Sequence, residues 1–254
     1  MLSQEWKYTT HLGALERFKN DLVYRLRKRV FDAFMREFRP GAEARVADFG
    51  VSTHRYHPVH YYFETLYPHK DRLTALGREG SYWYEEVFPG LKYVNCDLRS
   101  IPFPDDYFDF GLCSDVIEHA GSRAEQRALV EEVCRTCRNV LFTAPNRSFP
   151  IETHTFVPFL HWLPGREFRL LLQACGLRTF ASEAMLNPLD GTTLLSLFPR
   201  NRENTLLRVT RPLPIKLICV SRMTTGGPPR RNPHASGEAQ GISLKENFNL
   251  QGSQ

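Results

Sequence analysis

The chain has 254 residues, 42% of them hydrophobic and 24% charged, and a net charge of +5. That length supports one sizeable folded core, and so mild a basicity permits an anionic partner without demanding one. No apolar run reaches the roughly 20 residues that span a bilayer, and residues 1–10 lack the apolar centre of a signal peptide; the sequence therefore predicts a cytoplasmic protein.

Leu15, Phe18, Leu22, Leu26, Val30, Phe34 and Phe38 recur every third or fourth residue, which makes one face of a long amphipathic helix that Pro40-Gly41 ends. Its other face carries Arg17, Lys19, Arg25, Arg27, Lys28 and Arg29. These cations read as a solvated face, with peripheral contact to an anionic membrane as the functional alternative. No RNA-binding signature accompanies them, so nucleic acid is not an expected partner.

A short apolar strand is expected at residues 45–49, then an aromatic-rich helix at 54–67, and strands at 72–76, 91–96 and 108–114. A helix follows at 123–137, a strand at 139–143, and a helix at 165–175 with Gly176 as its terminator. Two further strands are expected at 177–181 and 215–221. From residue 224 the composition shifts to Gly, Pro, Ser, Asn and Gln, which predicts a disordered tail at 224–254 after a helical region at 1–41 and a main domain at 42–223. Strands alternating with helices imply parallel pairing through right-handed crossovers. The fold class expected is α/β: a Rossmann-like, doubly wound, mostly parallel sheet in three layers. The six cysteines are scattered, and the single Cys134-Cys137 spacing lacks the second half of a zinc site.

In such a sheet ligands bind beyond the carboxyl ends of the strands. The residues there are Asp48-Phe49-Gly50-Val51 after the first strand, Asp97-Leu98 after the third, Ser114-Asp115-Val116-Ile117-Glu118-His119 after the fourth, and Thr143-Ala144-Pro145-Asn146 after the fifth. Residues 46–50, residues 101–105 and 107–109 leading into the fourth strand, residues 115–119 and residues 143–147 resemble the motifs of class I S-adenosylmethionine (SAM)-dependent methyltransferases of the type 11 kind. Residues 154–164 are similar to a bacterial subgroup of them whose substrates are unassigned.

The resemblance implies SAM as cofactor. It implies that Gly50, lacking a Cβ, lets the backbone approach the methionine part closely, and that Asp48 orients that loop and attracts the ammonium. It further implies that Asp97 accepts from the adenine amino group while Leu98 offers its N–H. Glu79 is the nearest carboxylate for the ribose, and Phe49, Val51, Ser114 and Asp115 complete the expected contacts. Ser52 and His54 stand where the family usually has further glycines, so a non-catalytic scaffold on the same fold is the alternative reading.

The sulfonium already activates its methyl group, so the protein's task is alignment and exclusion of water. A base helps when the acceptor is a hydroxyl, and His119 and His154 are the candidates. The acceptor expected is a small molecule, sugar or lipid-linked intermediate, methylated on oxygen. The primary reading holds no metal. Its alternative has Asp115, Glu118, His119 and His154 bind a divalent cation, a pattern that resembles metal-assisted 2′-O-methyltransferases of small RNA and some quinone-pathway O-methyltransferases. Residues 149–164, with Phe149, Phe156, Phe159, His161 and Trp162 among prolines, read either as a substrate-side wall or as an apolar insert against the sheet.

Overall fold

Seven strands join into one sheet: β1 (Val46–Phe49), β2 (Leu73–Gly77), β3 (Lys92–Asn95), β4 (Phe108–Ser114), β5 (Cys137–Pro145), β6 (Arg202–Leu207) and β7 (Lys216–Met223). The order is β3-β2-β1-β4-β5-β7-β6. β1 to β5 are parallel, whereas β7 runs antiparallel to β5 and β6 antiparallel to β7. This is a computed structural model, and it describes residues 14–51, 59–78, 83–155, 157–207 and 214–224.

The strands are short and apolar because both faces are covered. All four residues of β1 are buried, and its alternation sends Ala47 and Phe49 to one core and Val46 to the other. One face is closed by α1 (Ala14–Phe38), α2 (Tyr62–Leu66) and α3 (Trp83–Val87), which contribute Val30, Phe34, Phe63 and Tyr84. The opposite face is closed by α4 (Arg123–Thr136) and α6 (Gly191–Ser196) through Leu129, Val133 and Leu194. Each such large apolar side chain contributes roughly 1.5–3 kcal/mol on burial. α5 (Gly165–Ala174) builds a small separate core, in which its Phe168 and Leu172 meet Leu186. On α1, Arg25, Lys28 and Arg29 are exposed, with Lys28 paired to Asp32, so part of the basic face is solvated as expected. Arg27 instead turns inward to the Val59 carbonyl.

The segment 177–181, expected as a strand, is a turn of 3-10 helix at Arg178–Phe180. Leu177 and Phe180 spend their apolar surface on the α5 core and have none to offer the sheet. Of the helix expected at 54–67, the structure shows Tyr62–Leu66; residues 52–58 lie outside the described residues, as do Phe156 and the tail beyond Thr224. β6 was not anticipated. The Cys134-Cys137 pair straddles the junction of α4 and β5, and both thiols are free and buried. No helix among the described residues is long and apolar enough to cross a membrane.

Candidate active site

A cleft of about 540 Å³ opens at the carboxyl ends of β1, β2, β3 and β4, where the strand order reverses. Gly50 and Val51 come from the end of β1, Gly77 and Arg78 from β2, Asp97 and Leu98 from β3, and Val116 and His119 from β4. Register explains the convergence: Phe49 pairs with Leu76 on one side and Cys113 on the other, so neighbouring strands end together. Gly50 sits at φ +88°, and a Cβ there would lie 2.3 Å from Val116 Cγ2. Its N–H and that of Val51 donate to the Leu76 carbonyl at 2.7 and 3.0 Å, which pins the loop against β2.

The expected contact residues divide into two groups. Gly50, Val51, Asp97 and Leu98 share the cleft. Phe49 lies beneath it, buried edge-to-face against Phe108 at 5.8 Å. Asp48 is also buried and is hydrogen-bonded to Glu64 of α2. Ser114 bonds Tyr62 and Thr143 at 3.3 and 3.0 Å. Glu79 lies outside the described residues.

Asp97 accepts from the Arg99 guanidinium at 2.7 Å, from the Arg99 backbone N–H at 2.9 Å, and from Arg78. Arg99 above all, with Arg78 adding to it, holds its carboxyl well below the usual carboxylate range against the opposing effect of burial. Arg99 also reaches Glu125, the residue that closes the capping box of α4 with Ser122. Asp115 adopts φ +57°, a backbone conformation that Asp tolerates better than most residues. Its carboxylate takes a bond from Thr143 Oγ1 at 3.1 Å and an ion pair from Lys216 at the start of β7. Burial raises its pKa, but Lys216 and Arg27 overcome this and hold it at about 2.

Beyond β4, Glu118, His119 and His154 meet. The two imidazoles face each other through Nε2 at 3.2 Å, with rings nearly perpendicular. Oε1 of Glu118 is 3.9 Å from each Nε2. Glu118 is fully buried and neither of its oxygens has a hydrogen-bond partner. Burial, with Asp115 adding repulsion, pushes its carboxyl well above the ordinary range. Burial and the neighbouring His154 lower the pKa of His119. At His154 burial acts in the same downward sense, but the Glu152 hydrogen bond and the Glu118 charge outweigh it and raise the value. Glu152, buried and bonded to His154 Nδ1 at 2.9 Å, is a site residue that the sequence reading missed, and so is Lys216. A carboxylate two positions before a histidine was a visible signal for Glu152. Lys216 offered none, because it meets Asp115 only across the fold.

The segment 149–164 turns back on itself through a bridge between Ile151 and Pro158. The buried His161 holds it through the Phe149 carbonyl at 2.8 Å, and Arg147 bonds the His161 and Leu163 carbonyls. Phe159 and Trp162 stay exposed on its outer side, in edge-to-face contact at 5.0 Å.

Residues 72–140, from the start of β2 into β5, match the sequence model of the family described as "Methyltransferase domain". Among curated proteins none matches the chain. Among solved structures, the PH0226 protein from Pyrococcus horikoshii OT3 is similar with a TM-score of 0.52 at 14% identity, over 79% of this chain and 91% of that one. A SAM-dependent methyltransferase from Aquifex aeolicus has a TM-score of 0.42 at 15% identity, over 75% and 87%. The N-terminal domain of EvdMO1 with SAH bound has a TM-score of 0.48 at 13% identity, over 78% and 80%. The family match lies across β2 to β5, inside a doubly wound sheet of the kind these solved structures share.

Proposed function

We propose that this chain is a class I SAM-dependent methyltransferase that acts on a hydroxyl oxygen of a small-molecule, sugar or lipid-linked acceptor. The observation that carries the reading is the facing imidazole pair of His119 and His154, with His119 itself on the wall of the cleft that holds Gly50 and Asp97.

The cleft residues fit SAM: at Gly50 the absent Cβ leaves the backbone bare, and the opposite rim carries a carboxylate fixed by two arginines. Bound SAM supplies a methyl carbon already activated by a positive sulfur. Gly50 and Val51 line its methionine side, while Asp97 and the Leu98 N–H take the adenine. Ser114 and Asp115 brace the strand end through Tyr62, Thr143 and Lys216 rather than by lining the cleft.

The chain must hold the acceptor oxygen about 3–3.5 Å from that carbon and in line with it. As the oxygen attacks, its proton has to leave. His119 Nε2 is the receiving atom, because its Nδ1 faces the Met185 carbonyl and so carries the ring's own proton. The segment 149–164 forms the acceptor-side wall and keeps water from the reacting line.

The test is incubation of the protein with methyl-labelled SAM and cell extract, followed by linkage analysis of the labelled product. Label in an O-methyl group is expected, whereas label on nitrogen or carbon overturns the reading.

A further inference from the structure

Eight large hydrophobic side chains are exposed among the described residues, and six of them, Ile151, Phe159, Trp162, Leu163, Leu170 and Leu171, fall within residues 151–171. Exposed apolar residues scattered singly need no explanation, whereas a cluster marks a surface that something covers. These six follow one path. Ile151 bridges Pro158 and so stands beside Phe159. Phe159 meets Trp162 edge-to-face at 5.0 Å, and Leu163 leads through Pro164 into α5. On α5 the buried Phe168 and Leu172 face the small core. Leu170 lies opposite them and Leu171 to their side, 54% and 41% exposed, so the helix is apolar on two faces and covered on one. Trp162 spends its single donor on the Arg147 carbonyl at 2.8 Å, which leaves its indole presenting apolar surface. The surroundings are cationic. Residues 147–185 carry Arg147, Arg166, Arg169 and Arg178 against three glutamates, one of which, Glu152, is buried beside His154. That leaves four cations to two surface carboxylates, with Arg166 and Arg178 exposed.

We propose that this face, the turn 149–164 together with the outward side of α5, seats the protein on an anionic lipid bilayer. The apolar side chains enter the boundary between head groups and acyl chains, where Trp is favoured, while Arg166 and Arg178 meet the phosphates. A second copy of the chain fits less well, because a two-fold contact sets the same arginines against each other. The basic face of α1 is the poorer membrane contact: beside its exposed Arg25, Lys28 and Arg29, Leu22 is the one exposed large hydrophobic among its described side chains. The segment that meets the bilayer with Phe159 and Trp162 also carries Glu152 and His154, and His154 Nε2 faces His119. Docking therefore turns the histidine end of the cleft toward the head groups, and among the acceptors named above it selects the lipid-linked one. That selection rests on the hydroxyl reading; the docking surface does not.

The test is flotation of the full chain with vesicles of phosphatidylcholine alone and of phosphatidylcholine mixed with phosphatidylglycerol, with brominated lipid present to quench tryptophan. Binding to the mixed vesicles is expected to be at least about tenfold tighter than to the neutral ones. The chain has three tryptophans, so loss of most of the quenching in Trp162→Phe assigns it to this face. Phe159→Asn, Leu170→Gln and Leu171→Gln together should weaken vesicle binding at least about tenfold. Their melting temperature should match wild type, because the three side chains are exposed and Asn tolerates the left-handed backbone at position 159, φ +61°. Arg25→Gln, Lys28→Gln and Arg29→Gln together should leave binding in place. Absence of wild-type flotation with the mixed vesicles, flotation unchanged in the apolar triple variant, or quenching unchanged in Trp162→Phe overturns the docking surface. A wild-type dimer that the apolar triple variant dissolves gives the face to a second copy and overturns it as well. Vesicle binding by an enzyme whose O-methylated product is water-soluble would keep the surface and remove the lipid-linked acceptor. Vesicle binding with label on nitrogen or carbon would keep the surface and remove the hydroxyl reading.

Discussion

Asp48 in β1 and Glu64 in α2 are hydrogen-bonded carboxyl groups enclosed beneath the floor of the cofactor cleft. Burial above all raises the pKa of both, and at Glu64 the charge of Asp48 adds to it. The pair therefore keeps a proton well above the ordinary carboxylate range of about 4. In the unfolded chain that proton is already gone. The folded state binds more protons, so stability is complete at low pH and falls as pH rises from about 4 toward the raised value, then levels off.

Glu64→Gln tests this relationship. The carboxamide donates to Asp48 where the shared proton did, without titrating. The fall in melting temperature between about pH 4.5 and 8 should flatten, and at pH 8 the variant should gain on the order of 1–2 kcal/mol over wild type. Melting curves across pH read it directly, and a slope equal to that of wild type would refute the shared proton.

Gly50→Ala should cost about 2–5 kcal/mol. Part is the left-handed backbone at φ +88°, worth about 1–2 kcal/mol for a residue with a Cβ. The rest is overpacking against Val116 Cγ2 at 2.3 Å, worth about 1–3 kcal/mol. Adding Val116→Ala relieves the contact but not the backbone, so the double variant should recover roughly half. Urea midpoints separate the two contributions. Full recovery would show that the conformation costs nothing, and no loss in Gly50→Ala alone would show that the loop does not need glycine.

Asp97→Ala should weaken SAM binding at least tenfold, about 1.4 kcal/mol. The carboxylate's side chain is 36% exposed, so its pairs with Arg78 and Arg99 add little to folding, on the order of 0.5 kcal/mol after solvent screening. Calorimetric titration with SAM beside a melting curve distinguishes the two effects. Equal proportional losses in both would remove Asp97 from the adenine end of the cleft.

The strands that build the cleft were legible because they are short apolar runs buried on both faces, each ending in a turn. That pattern placed Gly50, Asp97 and His119 together before any coordinates. β6 was not legible: its residues alternate between exposed and half-buried, as an edge strand with polar Glu203, Asn204 and Thr205 does. α6 follows Asp190, which caps it by accepting from Thr193 N–H at 2.7 Å, but six residues are too few for a helical period to show. The division of strand-end residues into those lining the cleft and those below it was also hidden. Asp48 reads as a cofactor contact from its motif position, and only the fold reveals Glu64 beside it.

Lys216→Met removes the cation that pairs with Asp115, which lies at a strand end with only 15% of its side chain exposed. Breaking a buried pair by deleting one partner costs about 3–5 kcal/mol, because it strands the other charge; the residual exposure puts this case near 3. Asn suits the left-handed position of Asp115 and still accepts from Thr143, so Asp115→Asn added to Lys216→Met should restore most of the loss. The coupling between the two substitutions, read from a cycle of denaturation midpoints, should be at least about 1.5 kcal/mol. This matters for the site because Lys216 opens β7, the antiparallel neighbour of β5, and through Asp115 it ties that strand to the turn carrying Glu118 and His119. Additive effects of the two substitutions would mean that the antiparallel edge and the histidine pair are independent.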